Sequence, residues 1–456
     1  MDSVHHQGSQ AVSRLLLKYS LPAIAGFLAN ALYQFVDRVL VGRGIGTDAM
    51  AAVTSAYPLT IFGMGIGLLL GTGTGNQIST FLGKGLREEA ERVLGQSVRL
   101  AVFLGGAQAL LVILFARPIL LAFGATGEIL DLAIPYLRIT ALGLALQITI
   151  ISMGNILRVQ GRPGLGLAFM ASSNVLNAIL AYVAIFILHW GIAGAAFATL
   201  ISMSCNFIAI FIFVQSQWSV LHIRRKNLVG DSALARSIVK LGAPVFLMQV
   251  LGMLVFLVAN HSAANIGGAR GVACVGVFNT ISILLIYGPL GVAQALQPLI
   301  AFNRGAKRPD RVLGLLNRAI LATTLMGVAS AVVVSFFPQA VASLFTRTDA
   351  SLVEIVRAGL PVTMISIALF GIQGTTSHYF LAAHQPQKAG LLLLGRSFLA
   401  IPLFLILPRV FGYPGLYWVT PLADVPMAIL AFTMLRKEWK SLRVQVHEMP
   451  SDTALL

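Results

Sequence analysis

The chain has 456 residues, of which 57% are hydrophobic and only 11% charged, with a mean hydropathy of +0.85. A soluble globular chain carries roughly 25% charged residues, so a water-soluble domain is excluded and an integral membrane protein is implied. The formal net charge of +16 would suggest nucleic acid in a soluble protein, but here the placement of the charges argues for a bilayer and against nucleic acid.

Spanning a bilayer takes about 20 mainly apolar residues per helix. Twelve segments reach that length: 14–42, 50–82, 93–116, 129–156, 164–188, 191–217, 238–262, 271–303, 313–337, 352–382, 387–408 and 413–435. The alternating pattern of about ten residues that marks an outer-membrane barrel is absent. The first ten residues are polar and lack a cleavable signal, so the first helix is expected to be retained.

Basic residues crowd one set of connections. The N-terminal end holds Arg14 and Lys18, the second connection Lys84, Arg87 and Arg92, and the fourth Arg158 and Arg162. Arg224, Arg225, Lys226, Arg236 and Lys240 fill the sixth, Arg304, Lys307, Arg308 and Arg311 the eighth, and Lys388 the tenth. The C-terminus adds Arg436, Lys437, Lys440 and Arg443, while the odd-numbered connections hold only Arg43, Arg117, Arg270, Arg347 and Arg409. The basic side is the expected cytoplasmic side. A multi-pass protein of the cell membrane, inner or plasma, with both termini inside follows, and it is expected to be a monomer. Cys205 and Cys274 lie in predicted helices and make no case for a disulfide or a metal site.

The chain repeats itself. Lys18 and Pro22 open the first helix, Lys240 and Pro244 the seventh, each pair 222 residues apart. Gly83 and Gly305 keep that offset after the second and eighth helices, as do Phe123 and Phe345 before the fourth and tenth. Acids follow each phenylalanine, Glu128 and Asp131 in one copy, Asp349 and Glu354 in the other. Gln160-Gly161-Arg162-Pro163 corresponds to His384-Gln385-Pro386 with one residue of slippage. Six spans per copy bring both copies into the membrane from the same side, as a parallel repeat. The predicted architecture is therefore all-α, twelve transmembrane helices in two pseudo-symmetric six-helix bundles. Residues 1–217 form the first lobe, 218–237 a basic linker, 238–435 the second lobe and 436–456 a tail.

Two such bundles commonly hold a substrate near the midplane, and nothing here supplies chemical energy. No phosphate-binding GxxxxGK[ST] loop is present, and the glycines of Gly71-Thr72-Gly73-Thr74-Gly75 sit in an apolar helix, where they suit close packing or a bend. Transport must therefore use an ion gradient or run downhill, which directs attention to buried acids. Only Asp37 and Asp424 lie well inside predicted helices. Asn30, Gln34, Asp37 and Val41 recur at helical spacing, so the polar three share one stripe. Arg38, one residue along, projects roughly 100° away. Asp37 reads either as a titrating site that moves protons or as a helix-end acid partly neutralised by Arg38. Asp424 has Arg396 on the preceding helix as a partner, and a paired buried charge is often structural. Arg99, Arg138, Arg318 and Arg357 lie near helix ends, where long stems reach the interface.

These residues resemble the multidrug and toxic compound extrusion (MATE) transporters, over nearly the whole chain. The resemblance rests on VDRVLVGRGIGTDAMAAVTSAYPL (36–59), FLGKGLREEAERVLG (81–95), RVQGRP (158–163), GVAQALQPLIAFNRGAK (291–307) and the pair of Arg396 with PLAD (421–424). It implies export of amphipathic, often cationic compounds in exchange for protons or sodium, by alternating access of two lobes, without a cofactor and without catalysis. The family's first-helix aspartate falls on Asp37 and its bend proline on Pro22. Tyr136, Asn177 and Thr199 match pocket residues of the fourth, fifth and sixth helices. Where some members read Asn-x-x-Leu-Asp in the fifth helix, this chain reads Asn177-Ala178-Ile179-Leu180-Ala181, and the missing acid weakens a sodium reading because a hard cation needs several oxygen ligands. The expectation is proton antiport, with protonation of Asp37 and binding of a cation excluding one another and the first helix bending near Pro22.

Two alternatives stay open. A lipid-linked oligosaccharide flippase, or another exporter of anionic substrates, would share the helix count and would present arginines such as Arg138 and Arg357 to its substrate. An intramembrane enzyme would need a second catalytic group at depth, and His189, His222, His261, His378 and His384 are scattered over different segments.

Overall fold

The structure, a computed structural model, describes residues 10–123, 125–343 and 350–448. Phe345 and Asp349, used in matching the two copies, lie outside the described residues, as do residues 1–9 and 449–456.

Among the described residues, twelve helices are long and apolar enough to cross a membrane. The helices run α1 (Val12–Gly44), α2 (Thr47–Gly83), α3 (Arg87–Leu114), α4 (Ala116–Ala122), α5 (Gly127–Val159), α6 (Pro163–Tyr182) and α7 (Gly191–Gln215). They continue through α8 (Ser232–Gly268), α9 (Arg270–Gly305), α10 (Pro309–Phe336), α11 (Pro338–Ser343), α12 (Ala350–Ala382), α13 (Pro386–Phe411) and α14 (Tyr413–His447). The short helices α4 and α11 are absent from the sequence reading, since six or seven residues make no hydropathy peak. Helix α8 begins at Ser232 rather than near 238, because the Asp231 carboxylate accepts from the Leu234 amide at 3.0 Å and caps it. The last helix runs on to His447, through most of the segment read as a tail.

The backbone repeats as the sequence does. Left-handed residues end or join helices at Gly46 and Gly268, at Gly85 and Lys307, at Gly161 and His384, and at Gly191 and Gly412, each pair within one residue of 222 apart. Prolines pre-set for the first turn open α6 and α13. Close crossings recur too. A Cβ on Gly105 of α3 would stand 2.9 Å from the Ala145 carbonyl of α5, and one on Gly327 of α10 2.5 Å from the Ile367 carbonyl of α12. Hydroxyl pairs tie the same helices, Ser97 to Ser152 at 2.9 Å and Thr323 to Thr375 at 2.9 Å. Hydroxyls and small residues at interfaces are what join helices where lipid removes the hydrophobic drive between them.

The chain divides into two compact units. Among the described residues, one holds Ala25–Phe246 and the other the residues up to Ile24 together with those from Leu247. The change of unit falls after Ile24 in α1 and after Phe246 in α8, again 222 residues apart, and each follows its helix's proline, Pro22 or Pro244, by two residues. In the first unit α5 is central, packed on α2, α3 and α7; in the second α12 is central, packed on α10 and α14. Within the first unit, Gly73 of α2 lies against the Ile238 backbone and Gly242 of α8 against Leu69, so the glycine run of α2 serves close helix packing. The linker is fastened to this unit as well. Glu91, 1% exposed, meets Arg224 at 2.7 Å and Arg87 at 3.3 Å, and Gln160 Oε1 accepts from the Val220 amide at 2.7 Å.

Candidate functional site

Helix α1 turns one side inward in its second half. Asn30, Gln34 and Asp37 are partly buried and Val41 is buried, while Leu32 and Phe35 on other sides are 64% and 67% exposed. The polar stripe therefore turns toward the protein and the apolar stripe away from it.

No ion pair engages Asp37 among the described residues. Its neighbour Arg38 is drawn to α2, where the guanidinium lies 5.5 Å from the centre of the Tyr57 ring, a cation–π contact. The same tyrosine donates its hydroxyl proton to Gln34 Oε1 at 3.3 Å. One side chain of α2 thus orients the residues before and after the acid. Tyr33 stands one turn before Asp37 on α1, and Tyr136 packs against the cluster that holds Val41.

A second group of polar side chains joins α6 to α7. Asn177 donates from Nδ2 to Thr199 Oγ1 at 3.2 Å and to Ser202 Oγ at 3.3 Å. Thr199 and Ser202 in turn donate to carbonyls of their own helix, those of Ala195 and Thr199. The Oδ1 atom of Asn177 is buried without a hydrogen-bond partner among the described residues, and a buried acceptor left open is a place for a donor or a cation. Gln34, Tyr136, Asn177, Thr199 and Asp37 belong to one unit, whereas Pro22 is grouped with the other. Asn30 lies on the stripe, partly buried, two turns before Asp37.

Residues 22–183 and 244–406 each match the model of the MatE family. The chain belongs to this family. The two matched stretches begin 222 residues apart, so each structural repeat is one MatE unit. The multidrug export protein MepA of Staphylococcus aureus (strain N315) is 26% identical over 438 residues, covering 95% of this chain and 96% of that protein. MepA of Staphylococcus haemolyticus (strain JCSC1435) is 27% identical over 425 residues, 92% of each chain. Among solved structures, an outward-facing multidrug resistance MATE transporter of the MOP superfamily superposes with a TM-score of 0.90 at 23% identity, covering 97% of this chain and 99% of its own. A MOP superfamily transporter from Pyrococcus furiosus gives 0.89 over the same shares at 23% identity. At that identity the likeness concerns the fold.

The MatE signatures have visible structural work. Gly85 in FLGKGLREEAERVLG takes φ of 76° at the turn between α2 and α3, and Gly95 leaves room for the linker backbone at Asn227. In RVQGRP, Gln160 holds the linker and Gly161 makes the turn before Pro163. Ala181, which stands where some members carry an acid, is 1% exposed and belongs to an apolar cluster with Val41, Ile185 and Ile192. At the end of α6 the helix widens into a π turn, Val183–Ile187, and Ile185 and Phe186 press on Gly44 at the end of α1 so closely that a side chain there would collide.

The second unit carries a different arrangement. Arg396 of α13 and Asp424 of α14 pair at 2.7 Å, with Asp424 2% exposed and the arginine side chain 42% exposed. His378 is buried, its Nδ1 2.8 Å from the Gly374 carbonyl. Arg138, Arg318 and Arg357 are exposed. Sequence reasoning passed over Tyr33, Tyr57 and Ser202. Tyr33 is one turn before Asp37 and Ser202 three residues after Thr199, so helical spacing carried a signal for both. Tyr57 is recognisable only once α2 is placed beside α1.

Proposed function

We propose that this MatE protein is a secondary multidrug exporter that exchanges amphipathic, often cationic compounds for protons, with Asp37 as the coupling group. The observation that carries the reading is an acid within an apolar helix long enough to span a membrane that has no ion pair among the described residues, its cationic neighbour lying over Tyr57. An intramembrane carboxylate of this kind is a functional group by default. The related MepA proteins are described as multidrug exporters, which supports the substrate class.

Ionised, Asp37 attracts a cationic compound into the pocket lined by Gln34, Tyr136, Asn177 and Thr199. Protonated, it loses that attraction, and the tyrosine phenols beside it become its hydrogen-bond partners. Substrate and proton then exclude one another at one site, so a proton gradient drives the compound out as the two lobes alternate in access. Pro22 removes a backbone hydrogen bond from α1 two residues before the change of unit, and the helix bends there as access alternates. Both termini face the cytoplasm, and the transporter works as a monomer. Arg396 and Asp424 hold α13 to α14 as a structural pair.

Sodium in place of the proton is the second reading, favoured by the open Oδ1 of Asn177. Ala181 supplies no side-chain oxygen to it, which favours the proton. The test uses inside-out vesicles with an imposed pH gradient, a fluorescent cation, and sodium present or absent. Proton-driven uptake that ignores sodium and is lost in Asp37→Asn is the expected result. Uptake that needs sodium, or a variant that still follows the pH gradient, overturns the assignment.

A further inference from the structure

The basic linker between the repeats folds over α3 and leaves a cavity of about 390 Å³, whose lining includes Arg92, Gln96, Lys226, Asn227, Asp231 and Ser232. Gln96, 3% exposed, builds it. Its amide nitrogen donates to the carbonyls of Asn227, at 3.2 Å, and Val229, and its oxygen accepts from the Asp231 amide at 3.2 Å.

The charges around this cavity do not balance. Its acids are spoken for: Arg92 lies 3.0 Å from Glu89 and 3.6 Å from Asp231, and the other Asp231 oxygen caps α8. Three cations have no acid within ion-pair distance among the described residues, namely Arg99, Arg225 and Lys226, and all are exposed. Arg99 is the telling one. From Leu100 to Leu114 helix α3 has no charged residue, so Arg99 stands where the apolar stretch begins. Its guanidinium reaches back to the linker and lies against Gly230, where any side chain would collide with it. A long cation that bends from the apolar edge toward the surface ends at headgroup level. Apolar residues of the linker stand at that level too, Val229 72% and Trp218 63% exposed, as side chains dipped into a membrane interface do.

We propose that this cavity, whose lining supplies Lys226, forms together with the Arg99 guanidinium lying against its wall at Gly230 a binding site for the phosphate headgroup of an anionic phospholipid, with the acyl chains along the lipid face of α3. The linker lies on the side that the distribution of basic residues assigns to the cytoplasm, where anionic lipid meets juxtamembrane Lys and Arg. The site is separate from Asp37 and independent of what the protein transports.

The full-length protein in neutral detergent is titrated with dioctanoyl phosphatidylglycerol, dioctanoyl phosphatidylcholine and inorganic phosphate, following thermal unfolding. Phosphatidylglycerol raises the unfolding temperature saturably and the other two do not. In Arg99→Gln/Lys226→Gln the half-saturating concentration rises about thirtyfold, the loss expected for two basic side chains at an anionic surface, whereas Arg436→Gln/Lys440→Gln titrates as the unaltered protein does. Should the double variant fail to fold, Lys226→Gln alone carries about fivefold. Variants that titrate like the unaltered protein overturn the proposal. So does phosphatidylcholine acting as well as phosphatidylglycerol, and so does inorganic phosphate reproducing the whole effect, which would make this a site for a free anion.

Discussion

Tyr57 makes a separable prediction, because its ring and its hydroxyl do different things. The ring holds the Arg38 guanidinium at 5.5 Å and the hydroxyl binds Gln34 at 3.3 Å. The first contact contributes about 0.5–1 kcal/mol exposed and about 2 kcal/mol desolvated, the second about 0.5–1.5 kcal/mol. Tyr57→Phe keeps the ring, and Tyr57→Leu removes both. Once free, Arg38 has the Asp37 carboxylate within a residue's reach. Unit charges 4 Å apart attract by about 4 kcal/mol at an effective permittivity of 20. Once the cost of drawing the exposed guanidinium out of water is taken off, the gain is of the same order as the ring contact. The ring therefore holds the arginine in the unaltered protein, and its removal lets the arginine turn to the acid and hold it ionised. Proton-driven uptake of a fluorescent cation into inside-out vesicles is then expected to fall more than tenfold in Tyr57→Leu and to stay within about threefold in Tyr57→Phe. Tyr57→Leu/Arg38→Gln, which removes the displaced cation, regains most of the loss. A Leu variant as active as the parent, or a double variant no better than the single one, refutes the idea that the ring keeps Arg38 from Asp37.

Neighbouring glycines give an internal control for the helix crossings. Gly105→Ala forces a methyl to 2.9 Å from the Ala145 carbonyl and is expected to lower stability by about 1–3 kcal/mol, whereas Gly106→Ala meets nothing within 4 Å and gains about 0.5–1 kcal/mol of helix preference, both read by thermal unfolding in detergent. Lys307 occupies the left-handed position that Gly85 fills in the other copy, with φ of 53°; Lys307→Gly is expected to stabilise by about 0.5–1 kcal/mol, and a loss of stability would show that the lysine side chain, not the backbone, matters there. Arg396→Gln strands the buried Asp424 and is expected to cost about 2 kcal/mol, below the usual 3–5 because the guanidinium is 42% exposed, with Arg396→Gln/Asp424→Asn recovering most of it in the same assay.

Hydropathy made the spans legible, because a lipid-facing helix must be apolar over its whole crossing and nothing local competes with that demand. The stripe of Asn30, Gln34 and Asp37 was legible for the same reason: three polar side chains at helical spacing have one side to hide on. What escaped depends on helices meeting across sequence. Tyr57 is twenty residues from Asp37, and no periodicity joins them. Arg99 reads as a residue near a helix end, and only the course of the linker past Gly230 shows where its head group goes. The places where α1 and α8 pass from one unit to the other were also hidden, although Pro22 and Pro244 mark them, since a proline near a helix start has an ordinary explanation as an N-terminal fit.

The two copies share their backbone devices and not their chemistry. Turns at Gly85 and Lys307 and crossings at Gly105 and Gly327 recur because each copy must turn and pack its helices in the same way. Counted by the same offset, the counterpart of Asp37 is Ala259, and by the offset of 223 that holds at Gly161 and His384 the counterpart of Asn177 is Ala400. Both alanines are 3% exposed and belong to the apolar core of the second unit. Conversely, the charged pair of that unit, Arg396 and Asp424, has as its counterparts in the first Ser173, by the offset of 223, and Met203, by the offset of 221 that holds at Gly191 and Gly412. Packing requirements act on every residue of a repeat and so preserve it in both copies. A carboxylate without an ion pair in the membrane, by contrast, costs free energy wherever it stands and is by default a mark of function. That the first copy keeps Asp37 while the second fills the equivalent place with a packed methyl group favours placing the proposed ion coupling in one unit alone.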